Sequence, residues 1–108
     1  SKINANNIFF YCCNYSDDYI RSRITIMNFK KLFVANYPDY VNKVLTKAPN
    51  LTQAEIPVCM YVKMNYSNKE IVEKDQISPS TLNNLRHSIR KKMKLKREDN
   101  LVLSLLKV

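Results

Sequence analysis

The sequence contains no glycine and no tryptophan. A glycine-rich loop that cradles a nucleotide phosphate is therefore excluded, because such loops need the close backbone approach that glycine permits. Any position with a positive φ angle must be filled by another residue, and asparagine tolerates that conformation well. We therefore expect asparagines, Asn36 and Asn65 among them, to close helices in the left-handed conformation.

Cysteine and histidine are scarce, with three cysteines and one histidine. Cys12 and Cys13 are adjacent, and Cys59 lies in a helical apolar pattern, so a C-x-x-C zinc spacing is absent and the odd count argues against a disulfide framework. Free thiols buried in a cytoplasmic protein are the expectation. His87 has no acidic residue near it in sequence to orient it. The sequence thus predicts no catalytic residue, no metal site and no cofactor, and an enzyme has little support.

Long apolar runs are missing as well, since no stretch approaches the roughly 20 residues that a membrane span needs. Residues 8–13 are too few for the core of a signal peptide, and their periodicity does not decide between a buried strand and the start of a helix. We expect a cytoplasmic protein that makes no membrane contact through this segment. The abrupt beginning favours a fragment from the C-terminal end of a longer protein.

Acidic residues are few, with nine Asp and Glu against 18 Lys and Arg, for a net charge of +9 over 108 residues. Residues 51–108 hold eleven basic and six acidic side chains, a net of +5. Such a balance favours nucleic acid or an anionic membrane surface as the partner. The length is that of one small domain with a modest core.

Two helix starts lie between Ser67 and Pro79. Ser67 is followed three residues later by Glu70, a capping box in which each side chain satisfies a backbone N–H near the other. Ser78 and Pro79 are a second start, with a hydroxyl at the N-cap and a proline where its missing N–H costs nothing. A short helix, a tight turn and a longer basic helix make a predicted helix-turn-helix.

The second of these helices has two distinct faces at 3.6 residues per turn. Its predicted buried stripe consists of Leu82, Leu85, Ile89 and Met93. Its outward stripe consists of Ser80, Asn84, His87 and Lys91, with Asn83 and Lys94 beside it. Residues 86–97 include seven Lys or Arg and no acid. Amides followed by cations suit a helix in the DNA major groove, whereas the plainer alternative is a solvated face whose cations complement the helix dipole. The two helix starts and the net charge together favour DNA.

Flanking helices are predicted on both sides of this pair. One helix runs from Tyr19 to about Ala35. A second helix begins at Pro38 and ends at residues 48–50. A capping box at Thr52 and Glu55 starts a helix over residues 53–64, whose first turn Pro57 should distort. Either Asp99 or Asn100 caps a last apolar helix.

Residues 51–108 resemble the LuxR-type (GerE-type) DNA-binding domain of bacterial transcription regulators. Four stretches carry the resemblance: L-T-x-x-E-x-x-V from Leu51, S-N-K-E-I from Ser67, I-S-P-x-T-L from Ile77 and I-x-K-K-M-K-L from Ile89. The resemblance implies an all-α fold, a compact helical bundle that contains a LuxR-type helix-turn-helix and extra N-terminal helices. Residues 1–50 would be a helical extension or linker, behind an upstream sensor or repeat domain that this chain lacks.

The resemblance also implies roles for individual residues. The base-reading positions would be Asn83, Asn84 and His87. The phosphate contacts would be Lys69, Ser80, Thr81, Lys91 and Lys94. In the family the last helix serves as a dimer contact, here Leu101, Leu105 and Val108, although packing on its own core is an equally supported alternative. The expected partners are duplex DNA and a second copy in a weak homodimer. The alternative function is a protein-interaction module that docks an acidic partner on the same basic face.

Four positions depart from the family pattern. The family usually places a buried leucine where Asp75 stands and favours glycine where Gln76 stands. Asp75 should therefore either lie exposed at an early helix end or pair with a neighbouring cation. Leu85 stands where the family often has histidine, and Asn83 stands where it often has lysine. The base preference of other members should therefore not transfer to this chain.

Overall fold

The computed structural model describes residues 28–108, which contain helices and no strand. Residues 28–36 are helical, and five further helices follow: α1 (Tyr40–Lys47), α2 (Glu55–Lys63), α3 (Asn68–Asp75), α4 (Pro79–Lys92) and α5 (Leu101–Leu106). The predicted all-α class is thereby confirmed for this part of the chain. The interpretations of residues 8–13 and of the helix start at Tyr19 lie outside the described residues. No helix within 28–108 has the length and apolar character that crossing a membrane requires.

The chain divides into two compact units, Ser1–Pro38 and Asp39–Val108. In the described part of the first unit, the rings of Phe29 and Phe33 are 6.1 Å apart and both side chains are buried. The prediction of a left-handed Asn36 is wrong, because its φ angle is not positive. Its side-chain amide instead donates to the carbonyl oxygen of Leu32 at 2.8 Å, one turn back. Pro38, which lacks an N–H, follows the end of the helix.

Helix α2 is the centre of the second unit and packs against α3, α4 and α5. Its residues Val58, Cys59, Met60, Tyr61 and Val62 are all buried. A helix that is apolar all round must be covered on several sides, which explains why three other helices pack against it. Helix α1 is tied in by the Tyr40 hydroxyl, which donates to the carbonyl oxygen of Leu105 at 3.0 Å.

The predicted capping box at the start of α2 is present. The Thr52 N–H donates to Glu55 Oε1 at 2.8 Å, and the Glu55 N–H donates to Thr52 Oγ1 at 3.3 Å. The α-helix nevertheless begins at Glu55 and not at Gln53, and the residues between form a turn. Pro57 has no N–H to donate to the carbonyl of Gln53, so the helix starts late and Pro57 lies in its first turn, where it is tolerated.

Three helices end in the same way without glycine. Asn65, Gln76 and Lys94 have positive φ angles of 65°, 55° and 57°. The N–H of the next residue donates to the carbonyl five residues back, in the bonds Tyr66 to Tyr61, Ile77 to Val72 and Leu95 to Arg90, at 3.1, 3.3 and 3.1 Å. This is the Schellman motif, which an apolar residue after the left-handed position favours. The prediction for Asn65 is confirmed, whereas Gln76 and Lys94 show that asparagine does not take all such positions.

Replacing Gln76 by glycine should raise the free energy of unfolding by about 0.5–1 kcal/mol. Glycine relieves the steric cost of a left-handed residue, which outweighs its greater freedom in the unfolded chain. Glu73→Gly, at an exposed position inside α3, should instead lower it by about 1 kcal/mol. Urea denaturation of the two variants measures both effects, and a lower midpoint for Gln76→Gly would contradict the steric argument.

Candidate nucleic-acid interface

Both predicted helix starts between Ser67 and Pro79 are confirmed. The Ser67 N–H donates to Glu70 Oε1 at 3.1 Å and the Glu70 N–H donates to Ser67 Oγ at 3.2 Å, which completes the capping box of α3. Ser78 Oγ accepts the Thr81 N–H at 3.0 Å, and Pro79 is the first residue of α4. Only residues 76–78 separate the two helices. Local capping chemistry thus holds α3 and α4 as neighbours joined by a short turn.

The residues predicted to face DNA share one property, which is that every one of them is exposed. They are Lys69 on α3, Ser80, Thr81, Asn83, Asn84, His87 and Lys91 on α4, and Lys94 just after it. The Thr81 hydroxyl accepts from Ser78 Oγ at 2.8 Å and keeps its own hydrogen for another acceptor. We call these eight exposed residues the outward face.

The opposite side of α4 carries the apolar stripe, and only part of that stripe is fully buried. Leu82 and Ile89 are buried, whereas Leu85 and Met93 are half-buried. Contacts of α4 with α2 and α3 cover this side. The helix is therefore packed on the core through Leu82 near its start and Ile89 in its C-terminal half, on the side opposite the exposed residues.

Six of the seven cations between residues 86 and 97 have no carboxylate within salt-bridge distance among residues 28–108. The exception is Lys92, whose Nζ lies 2.6 Å from Glu55 Oε1. Glu55 pairs with neither Arg86 nor Arg90, because both arginines bond to neutral oxygens. Arg86 donates to Asn68 Oδ1 at 3.2 Å, and Arg90 donates to the carbonyls of Asp99 and Lys96 at 2.8 and 2.9 Å.

Glu55 anchors the C-terminal end of α4 to the start of α2. The carboxylate is buried, with 2% of the residue exposed. Burial alone would raise its pKa, but hydrogen bonds from Lys92, Ser88 and Thr52 outweigh that effect and lower the pKa to about 2. One buried carboxylate therefore serves as a helix cap and as the counter-ion that positions the basic helix.

A cleft of about 430 Å³ lies at the C-terminal end of the outward face, lined by His87, Arg90, Lys91, Leu95 and Arg97. The helical repeat of α4 does not predict that Arg97 lines this cleft, because Arg97 follows the end of the helix. The left-handed turn at Lys94 and the two bonds from Arg90 bring the following segment back against the helix. Three cations, Arg90, Lys91 and Arg97, thus line one cleft.

Helix α5 differs from the interpretation of its residues as a dimer contact. Asn100 is the N-cap, since its Oδ1 accepts the Leu103 N–H at 3.1 Å. Leu101 and Leu105, however, are 3% and 0% exposed, and Val108 is half-buried. Two of the three residues are therefore core residues of a single copy, and the exposed large apolar side chains of α5 are instead Val102 and Leu103.

Asp75, which replaces a usual family leucine, is the last residue of α3 and is half-buried. Burial raises the pKa of the Tyr61 phenol, and the charge of Asp75 raises it further. The carboxylate of Asp75 therefore lies close enough to α2 to affect the ionisation of Tyr61.

The described residues offer little for metal or thiol chemistry. Within 28–108, no group of His, Cys, Asp and Glu side chains could hold a metal ion. Cys59 is buried, as predicted. Burial, and then the charge of Glu55, raises the pKa of its thiol to about 12, so the reactive thiolate is not formed near neutral pH.

No protein-family model, curated protein or solved structure matches this chain. The class that the described residues define is an all-α domain that carries a capped, exposed basic helix. A closer assignment rests on the sequence resemblance.

Proposed function

We propose that the chain binds duplex DNA in a sequence-specific manner, as the C-terminal output domain of a bacterial transcription regulator of the LuxR type. The observation that carries the DNA part is the outward face, whose two amides, histidine and three lysines are all exposed, with no carboxylate of residues 28–108 within salt-bridge distance of the lysines. The regulator part rests on the four LuxR-like stretches, two of which coincide with the capped starts of α3 and α4.

The chemistry of this face suits the major groove. Asparagine can donate to and accept from the edge of adenine, and lysine reaches guanine or phosphate oxygens. Asn83, Asn84 and His87 would read bases from the first half of α4. Ser80, Thr81, Lys69, Lys91 and Lys94 would hold the backbone, which positions the domain without specifying sequence. Cations with no carboxylate partner release counterions when they meet phosphates, which favours binding.

The proposed division between reading and holding residues predicts different effects for two alanine substitutions. Asn84→Ala should weaken binding to the best site by about 1–3 kcal/mol and hardly affect random DNA, because it removes a base contact. Lys91→Ala should weaken both alike and lower the slope of log affinity against log salt by about one unit, because one fewer counterion is released. The measurement is affinity for a selected site and for a scrambled duplex over a salt series.

Lys43→Ala is the matched control, since Lys43 is exposed on α1 and lies outside the outward face. It should leave sequence choice unchanged. Equal weakening of both duplexes by Asn84→Ala would show that α4 docks differently. If the unmutated chain does not bind duplex DNA even at low salt, docking of an acidic protein partner on the same face takes the place of this proposal.

A further inference from the structure

A cavity of about 350 Å³ lies between α3 and α4, and its lining divides into two chemical parts. Its apolar surface comes from Val72, Pro79 and Leu82. Its polar surface comes from Asn68, Asn83 and Arg86, with Lys69 as a second cation. No acidic residue lines it. A volume of this size is at the lower end of the range for small-molecule sites, which are commonly apolar with a few placed polar groups.

Arg86 is the unusual member of this lining. Its side chain is half-buried, and the described residues offer its guanidinium one hydrogen bond, to the neutral Asn68 Oδ1. Burial lowers its pKa and the charge of Arg90 lowers it further, with no carboxylate to oppose either effect. A partly desolvated arginine is normally paired with an anion, because removing a charge from water is costly. The remaining N–H donors of the fork are free to bind one.

We propose that this cavity binds a small organic carboxylate with an apolar or aromatic body. The carboxylate would accept two parallel hydrogen bonds from Arg86, which is the geometry that a guanidinium fork matches best. The body would lie on Val72, Pro79 and Leu82 and displace water from them. An inorganic phosphate fits less well, because half of the cavity would leave its oxygens facing apolar side chains. The proposal does not depend on DNA binding.

The test uses sodium benzoate as the probe and the whole chain labelled with ¹⁵N. We expect saturable shifts of backbone amide signals that centre on Val72, Leu82 and Arg86. Benzyl alcohol, which has the body without the charge, and sodium acetate, which has the charge without the body, should each bind at least several-fold more weakly. Arg86→Met should weaken benzoate binding by roughly tenfold or more, since a charge-assisted hydrogen bond is lost.

Arg97→Met is the matched control, because it removes the same charge from an exposed arginine in the other cleft. It should leave benzoate affinity unchanged. If Arg86→Met fails to fold, Arg86→Lys keeps the charge, removes the fork and should still weaken binding. Shifts that spread over exposed lysines without saturating, equal weakening by Arg97→Met, or equal affinity for benzyl alcohol would each overturn the proposal.

Discussion

Replacing Glu55 by alanine should lower the free energy of unfolding by about 3–5 kcal/mol, the largest effect that we expect from a single substitution. The carboxylate is 3% exposed at the side chain and accepts from Lys92 Nζ at 2.6 Å. Removing this carboxylate leaves the partly buried Lys92 without its counter-ion. It also leaves the Thr52 N–H at the start of α2 without its acceptor. Urea denaturation at neutral pH measures the loss.

The double variant Glu55→Ala with Lys92→Met separates the ion pair from the cap. If the pair is coupled, the double variant should lose less stability than the sum of the two single variants, because neither charge is left behind. Strict additivity would show that Glu55 acts only as a cap. Glu70→Ala is the matched control, since Glu70 belongs to the more exposed capping box of α3, and it should cost about 1 kcal/mol.

The same pair should make stability depend on acid. The pKa of Glu55 in the folded chain, about 2, lies below its ordinary value of 4.5, so the unfolded chain takes up the proton at a higher pH. The stabilisation is therefore fully present above pH 4.5 and is lost as the pH falls toward 2. This part of the acid dependence should disappear in the Glu55→Gln variant, which a series of denaturation curves between these pH values would show.

Leu105→Ala should lower the free energy of unfolding by about 2–5 kcal/mol. The side chain is fully buried in the core of the second unit, and its truncation removes apolar contacts and leaves a cavity. Leu103→Ala is the matched control on the same helix, because Leu103 is 54% exposed, and it should change stability by no more than about 0.5 kcal/mol. Equal effects of the two substitutions would contradict the placement of α5.

These two leucines also separate folding from association. A charge at Leu105 would unfold the domain whether or not it dimerises, so that substitution cannot test a dimer. Leu103→Asp places the charge on the exposed side of α5 and leaves the core intact. If two copies associate through this side, sedimentation equilibrium should show a dimer that Leu103→Asp dissociates. A dimer that survives this change would place the interface elsewhere.

Much of the candidate surface was predictable because it depends on residues close together in the chain. A cap bond joins residues three apart, so Ser67 and Ser78 are recognisable as helix starts from the sequence alone, whereas the sequence leaves the last start open between Asp99 and Asn100. The faces of α4 follow from the helical repeat, so the exposure of Ser80, Asn83, Asn84, His87, Lys91 and Lys94 was predictable too.

Distant pairings were not predictable in this way. Lys92 and Glu55 are 37 positions apart, and helix packing selects Lys92 rather than the arginines beside it. Gln76 and Lys94 adopt left-handed conformations although neither residue type favours them, because the hydrogen bonds that end their helices stabilise this geometry.

The all-α class, the helix starts at Ser67 and Ser78 and the exposed basic face therefore follow from the order of residues, since each arises within one or two helical turns. The burial of Leu101 and Leu105, the position of Arg97 in the cleft beside His87 and that of Arg86 in a cavity depend on how the helices pack together. The spacing of apolar residues in the sequence shows which side of a helix is apolar. It does not show which neighbour covers that side, or which charges the neighbour brings with it.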